Sequence, residues 1–237
     1  LHYNDFDGDI IVMHSSELRA DHRQALSDEF NVIFHECASP SIKFAGTRKW
    51  AHNPASRFDI FKLPYDRVIY YDSDILITGD VSEFINNTED FIACPYTHKM
   101  TGDSLRPNDD MSDCNAHLFN AGVFSVSKKY LHWRTYDDLL NIATSYTWPG
   151  NQAILNKYFA SRCHLMSNIY NLTTSEATNA NTIKRSKVLH FVGNNKIWNS
   201  GSYFSRFDFG IIHTIGLLNC TRILEQYRKH CILLELA

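Results

Sequence analysis

Apolar and polar positions alternate in short blocks along the chain, and the blocks change period from one to the next. Residues 9–14 (DIIVMH) form an apolar run that reads as a strand. Ser15 or Ser16 stands where a helix N-cap would, and a helix is expected from there to about residue 30. A second strand is expected at 32–35, a helical piece at 54–62, and a strand at 68–71 inside the longer run VIYYDSDILI. A short helix at 81–85 and a strand at 91–94 follow. Residues 97–115 are polar, a long connection for a compact domain and therefore a candidate functional loop. Beyond it come a strand at 119–127, an amphipathic helix at 130–146 with Trp133, Tyr136 and Leu140 at helical spacing, a helix at 151–159 and a late strand at 188–192. This β-α alternation predicts an α/β domain with a mixed, mostly parallel central sheet flanked by helices. No repeat, low-complexity tract or linker interrupts it, so a single domain over 1–237 is expected.

Two carboxylates in the 68–77 run stand out. Asp72 and Asp74 are two apart, and in a strand such residues share a face. The surrounding run is continuous enough to read as a strand covered on both sides, where a naked charge is costly. A divalent cation is the simplest partner, and it can carry a second anion such as a diphosphate. Asp5, Asp7 and Asp9 share the same spacing but sit in a polar, Gly-containing stretch, with Ile10 where a calcium loop needs glycine; they read as solvated charges. Ligands of open α/β sheets bind beyond the carboxyl ends of the strands, where Asp72 and Asp74 fall and towards which His190 lies in the late strand.

Composition narrows the classes. Hydrophobic residues are 44% and charged residues 21%, an ordinary globular balance. A formal net charge of −3 gives no electrostatic case for nucleic acid or an anionic membrane. No apolar stretch approaches bilayer-spanning length. The six cysteines form no close metal-type pair and read as buried free thiols. Glycan-acceptor triplets occur at Asn86, Asn171 and Asn219, too few to fix a compartment. The cytoplasm is preferred to the secretory lumen.

Four segments, in order, carry a resemblance. They are KLPYDRVIYYDSDILITGDVSEF, Phe119-Asn-Ala-Gly-Val123, Gly150-Asn-Gln-Ala-Ile-Leu-Asn156 and His190-Phe-Val-Gly-Asn-Asn-Lys-Ile-Trp198. They resemble the D-x-D stretch, the F-N-[SA]-G-V strand, the G-D-Q-x-x-L-N segment and the H-F-x-G-x-x-K-P-W segment of the retaining, glycogenin-like family 8 glycosyltransferases. Between the last two, HLMSNIYNLTTS resembles that group's I-Y-N-L-S-S stretch. The resemblance spans about 57–199 and implies a single GT-A (Rossmann-like) domain.

It also implies roles. Asp72, Asp74 and His190 would ligate Mn2+, or alternatively Mg2+, which would stabilise a departing nucleoside diphosphate. Lys196 would meet a phosphate, and Gly193 would let the backbone approach it. Arg57 and Ser73 would lie at the donor. Asn120 would bond the donor sugar, with Ala121 leaving room for it. Gln152 would lie beneath the anomeric carbon, and Asp113 would bind sugar hydroxyls. The donor implied is a UDP-hexose, glucose or galactose by family habit, with the acceptor open among glycan, lipid and protein. Asn151 replaces the family's usual Asp; an amide cannot serve as a carboxylate nucleophile, so a front-face mechanism is expected. Ile197 replaces the usual proline, and 171–202 hold no tyrosine for glycogenin-like self-glycosylation. The first β-α unit of the family, which helps cradle the uracil, is expected to be absent. Residues 203–237 are expected to form a helical extension, with 223–236 packing on the domain or in a homodimer. The rival readings are a weak or inactive nucleotide-sugar-binding scaffold, favoured by Asn151, and a structural metal-binding protein.

Overall fold

The computed structural model describes residues 8–16, 18–37, 56–96, 118–145, 151–177 and 180–192. In chain order these form β1 (Ile10–His14), α1 (Ala20–Glu29), β2 (Val32–Glu36), a 3-10 helix (Ser56–Lys62), β3 (Arg67–Tyr71), β4 (Ile75–Ile77) and α2 (Ser82–Ile85). Then follow β5 (Phe91–Pro95), β6 (Phe119–Ser127), α3 (Trp133–Ser145), α4 (Asn151–Phe159), β7 (His164–Leu165), β8 (Leu172–Thr173), α5 (Ala180–Arg185) and β9 (Val188–His190). Short 3-10 turns precede β7 and β8. No helix among the described residues is long and apolar enough to cross a membrane.

The chain divides into two compact units. One comprises Leu1–Glu36, Ser73–Val81 and Ile169–Ala237. It holds the parallel pair β1-β2, joined by α1, and a three-stranded sheet ordered β4-β9-β8. In that sheet β9 runs antiparallel to β4 and parallel to β8. Thr78 N donates to Lys187 O at 2.8 Å and Thr78 Oγ1 to Ser186 O at 3.0 Å, which ties the end of β4 to the entry of β9.

The second unit comprises Cys37–Asp72 and Ser82–Asn168, with a sheet ordered β3-β6-β5-β7. β6 is its centre. Its residues from Phe119 to Val126 are all buried, as a continuous apolar run covered on both faces requires. Phe58, Phe61, Phe91, Phe119, Phe124 and Phe159 are fully buried around it. The Phe91 and Phe159 rings stack with centroids 3.9 Å apart, fastening α4 to β5. Asn156 of α4 grips the start of β6 through both amide atoms. Phe119 N donates to its Oδ1 at 2.9 Å, and its Nδ2 donates to Phe119 O at 2.8 Å.

The mixed sheet expected from sequence is present, with more antiparallel pairing than β-α alternation implies, because β6 takes antiparallel partners on both sides. Five further expectations are corrected. The run 68–77 is two strands in two sheets, not one: β3 ends at Tyr71, and Ser73 and Asp74 form a turn before β4. β3 is half-buried throughout, so the strand covered on both faces is β6. No serine caps α1. Leu18 N donates to Ser15 O in a turn, which delays the helix to Ala20, with Arg19 at the cap position. The piece at Ser56–Lys62 is a 3-10 helix. On α3 the buried stripe is Tyr136, Leu139 and Ala143, whereas Trp133, in the first turn beyond the core, is 64% exposed.

Cys37 and Cys94 are buried, as read from sequence, whereas Cys163 is only half-buried. Asp9 is exposed, while Asp5 and Asp7 lie outside the described residues. So do the 97–115 segment apart from its flanks, which are joined by Tyr96 N donating to Leu118 O at 2.8 Å, and the 203–237 extension.

Replacing Asn156 by Ala leaves the Phe119 amide and carbonyl without this partner inside the core. Urea denaturation is expected to show a loss of about 2–4 kcal/mol, the cost of stranding buried polar groups.

Candidate active site

The second unit gathers most of the residues the sequence singles out, and an irregularity in β6 explains how. Between Ala93 and Cys94 the β5-β6 register jumps, with Ala93 opposite Phe124 and Cys94 opposite Asn120. Residues 121–123 of β6 are therefore skipped on the β5 side. A bulge of this kind releases backbone groups from the ladder, and buried backbone groups must find other partners. Side chains supply three of them here, and the main chain of Asp72 supplies the fourth. Gln152 Oε1 accepts from Ala121 N at 3.1 Å. Asn120 Oδ1 accepts from Gly122 N at 2.8 Å. Arg57 Nη1 donates to Ala121 O at 3.1 Å, and Gly122 O accepts from Asp72 N at 2.8 Å. Arg57, Asp72, Asn120, Ala121 and Gln152 thus converge on one stretch of backbone.

Charge organises the same place. Arg57 Nη2 donates to Oδ1 of Asp72, and Arg57 Nη1 reaches Asn151 Oδ1 at 3.4 Å. The Tyr70 hydroxyl donates to the same Asp72 oxygen at 2.6 Å. The Arg57 guanidinium lies 4.8 Å from the Tyr70 ring centre, and that ring stacks on Phe124 at 5.0 Å. Burial opposes the charge of Arg57, but Tyr70 and Asp72 outweigh it and raise its pKa. Burial raises the pKa of the Tyr70 phenol, so the hydroxyl remains a donor at physiological pH. The Arg57 and Asp72 side chains are 15% and 21% exposed, so little water screens the pair.

Asp74 and His190 lie in the other unit. His190, buried at the end of β9, places Nε2 3.2 Å from Asp74 Oδ1. Phe191 N donates to Asp74 O at 2.9 Å, so the Asp74 backbone is tied to the residue after His190. The other ring nitrogen of His190, Nδ1, lies 2.9 Å from Oδ1 of Asn171, which is fully buried. Ser73, exposed, is the one residue between the two aspartates. Covalent geometry alone keeps Cα of Asp72 and Asp74 within about 7 Å of each other, whatever faces they present. Asp72 and Asp74 are half-buried. Asp113, Gly193 and Lys196 lie outside the described residues.

Three polar residues at these positions escaped the sequence reading. Tyr70, two before Asp72, could have been found by the alternation used for the aspartates. Asn156 stands inside a motif whose later residues received no role. Asn171 was noted only as part of a glycan-acceptor triplet, and its side chain is buried against His190.

The family profile for glycosyl transferase family 8 matches residues 7–202 and runs through both units. The chain belongs to glycosyl transferase family 8. A search of curated protein sequences gave no match. Among solved structures, the chain is similar to the apo form of the glycosyltransferase GlyE of Streptococcus pneumoniae TIGR4. That likeness has a TM-score of 0.58 and 17% identity over 92% of this chain, which spans 56% of the length of GlyE. It is also similar to the galactosyltransferase LgtC solved with donor and acceptor sugar analogues (TM-score 0.53, 14% identity, 87% of this chain and 95% of that one). At these identities the likeness is one of fold, the mixed α/β GT-A fold expected from the four motifs.

Replacing Arg57 by Met removes the cation from Asp72 and the donor from Ala121 O. Stability in urea without metal is expected to fall by about 2–4 kcal/mol, because breaking a poorly solvated pair strands its partner. Arg57→Lys should recover only part of this, since an ammonium cannot span both acceptors as the guanidinium fork does.

Proposed function

We propose that this protein is a metal-dependent, retaining glycosyltransferase that takes a hexose from a UDP-sugar. The observation that carries the reading is the pairing of His190 Nε2 with Asp74 Oδ1 at 3.2 Å, two residues beyond an aspartate that Arg57 and Tyr70 hold in place. Two carboxylates and an imidazole are a donor set suited to Mn2+ over Ca2+, with Mg2+ the alternative cation. Family membership and a match extending through both units support reading the chain as one catalytic domain.

Asp72, Asp74 and His190 would hold the cation. Bound there, it would neutralise charge developing on the diphosphate as the glycosidic C1–O bond breaks. This chain's own groups then have distinct tasks. Arg57 brings positive charge to the donor end while fixing Asp72. Asn120 and Ala121 line the sugar side, where the absence of a long side chain leaves room for a ring. Gln152, anchored to Ala121 N, would face the anomeric carbon. The acceptor hydroxyl oxygen bonds to C1 on the face the diphosphate leaves, and its proton passes to the departing phosphate oxygen. Asn151 offers an amide oxygen to Arg57 and no carboxylate for a covalent intermediate. Asp113, Gly193 and Lys196 are proposed as further donor contacts.

UDP release with Mn2+ across a panel of UDP-sugars tests this reading. Turnover is expected with UDP-glucose or UDP-galactose, and Asp74→Asn or His190→Ala should lower it at least about 100-fold. No turnover with any donor would defeat the catalytic reading. Trapping experiments followed by mass spectrometry are expected to find no glycosyl adduct on Asn151 or Gln152; an adduct there would overturn the front-face mechanism.

A second reading is a nucleotide-sugar-binding scaffold. It is favoured by the engagement of both Asn151 and Gln152 in holding the Arg57–Ala121 corner. Mn2+-dependent thermal stabilisation by UDP without turnover would select it.

A further inference from the structure

We propose that Asn171 is a positioning residue that fixes which nitrogen of His190 faces the cation. The inference rests on the reading of His190 as a cation ligand. The geometry lies within one unit. β8 and β9 run parallel with Leu172 opposite Leu189 and Thr173 opposite His190, which puts Asn171 at the start of that pairing. Thr174 N donates to His190 O at 2.9 Å, holding the histidine backbone from the same segment. The Asn171 side chain is wholly buried and His190 is 3% exposed, so the contact between them is made away from bulk water.

An amide oxygen only accepts hydrogen bonds. With Asn171 Oδ1 at 2.9 Å, the proton of the neutral His190 ring is assigned to Nδ1. In the neutral ring this leaves the lone pair on Nε2, the atom 3.2 Å from Asp74 Oδ1. Two lone pairs facing each other are reconciled by a positive charge between them, either a proton or a metal ion. Asn171 thus presents Nε2 as the ligand and prevents the ring from turning its N–H towards Asp74. Partners of this kind, behind a ligating histidine, set tautomer and ring orientation. They also give the buried Asn171 a purpose that its glycan-acceptor triplet does not.

Two variants of the full chain separate this from simple packing. Asn171→Asp keeps an acceptor at the same place, whereas Asn171→Leu keeps the volume and removes it. In the metal-free protein, at a pH where His190 is neutral, long-range proton–nitrogen NMR of the ring is expected to show the Nδ1–H tautomer in wild type and in Asn171→Asp. Mn2+ affinity, followed by EPR titration with UDP present, is expected to weaken about 10–100-fold in Asn171→Leu and to stay near wild type in Asn171→Asp. An Nε2–H tautomer in wild type overturns the proposal, and so does wild-type Mn2+ affinity in folded Asn171→Leu. If Asn171→Leu does not fold, the wild-type spectrum and the Asn171→Asp titration decide the question. His190→Ala distinguishes the layers. If it weakens Mn2+ binding while Asn171→Leu does not, the positioning role alone falls. If it leaves Mn2+ binding unchanged, His190 is no ligand and the cation-site reading falls with it.

Discussion

The break in the β5-β6 ladder at residues 121–123 is the constraint on which the candidate site depends. A buried strand cannot leave amides and carbonyls unpaired, so the bulge demands polar side chains at defined positions. Gln152 from α4, Asn120 from β6 itself and Arg57 from the 3-10 helix meet that demand. The same side chains then stand around one end of the sheet. Backbone satisfaction and site assembly are a single problem here. A regular β6 would pair these backbone groups with β5 and give those side chains no reason to converge.

Arg57 links this backbone problem to charge. One guanidinium addresses Ala121 O, Asn151 and Asp72, which lie far apart in sequence. Tyr70 adds its ring beneath the guanidinium and its hydroxyl to the same carboxylate oxygen. Asp72 is therefore oriented from two directions before any ligand arrives. A carboxylate held in this way loses little further freedom on meeting a cation, and that lowers the entropic cost of binding.

Much of this was legible in the sequence because the signals are local. β6 and α4 have the bounds that their apolar runs and motif positions suggest, and β1, β2, β3 and β5 agree to within a residue at each end. The errors arise where a partner distant in sequence decides. Nothing in VIYYDSDILI says that a turn at Ser73 and Asp74 will part β3 from β4 and send them to different sheets, so one run was read where two strands stand. Helix α1 starts late because a turn at residues 15–18 competes with the serine caps. Trp133 matches the helical period but lies on a turn that overhangs the core, where Lys62 and Tyr136 flank its ring instead. Asn171 received no role for the same reason: a three-residue acceptor pattern carries no information about burial, and only the β8-β9 pairing brings that side chain to His190.

Asn151 shows how one substitution reshapes such a network. Its amide oxygen takes a hydrogen bond from Arg57 but brings no negative charge. Asp72 is the carboxylate that answers the guanidinium at this corner. A carboxylate at position 151 would divide the attraction of Arg57 between two anions and loosen its hold on Asp72. The amide instead keeps Asp72 firmly oriented and withholds a nucleophile from the same spot. An amide cannot serve as a carboxylate nucleophile, so the front-face proposal asks of Asn151 only the hydrogen bond it accepts from Arg57.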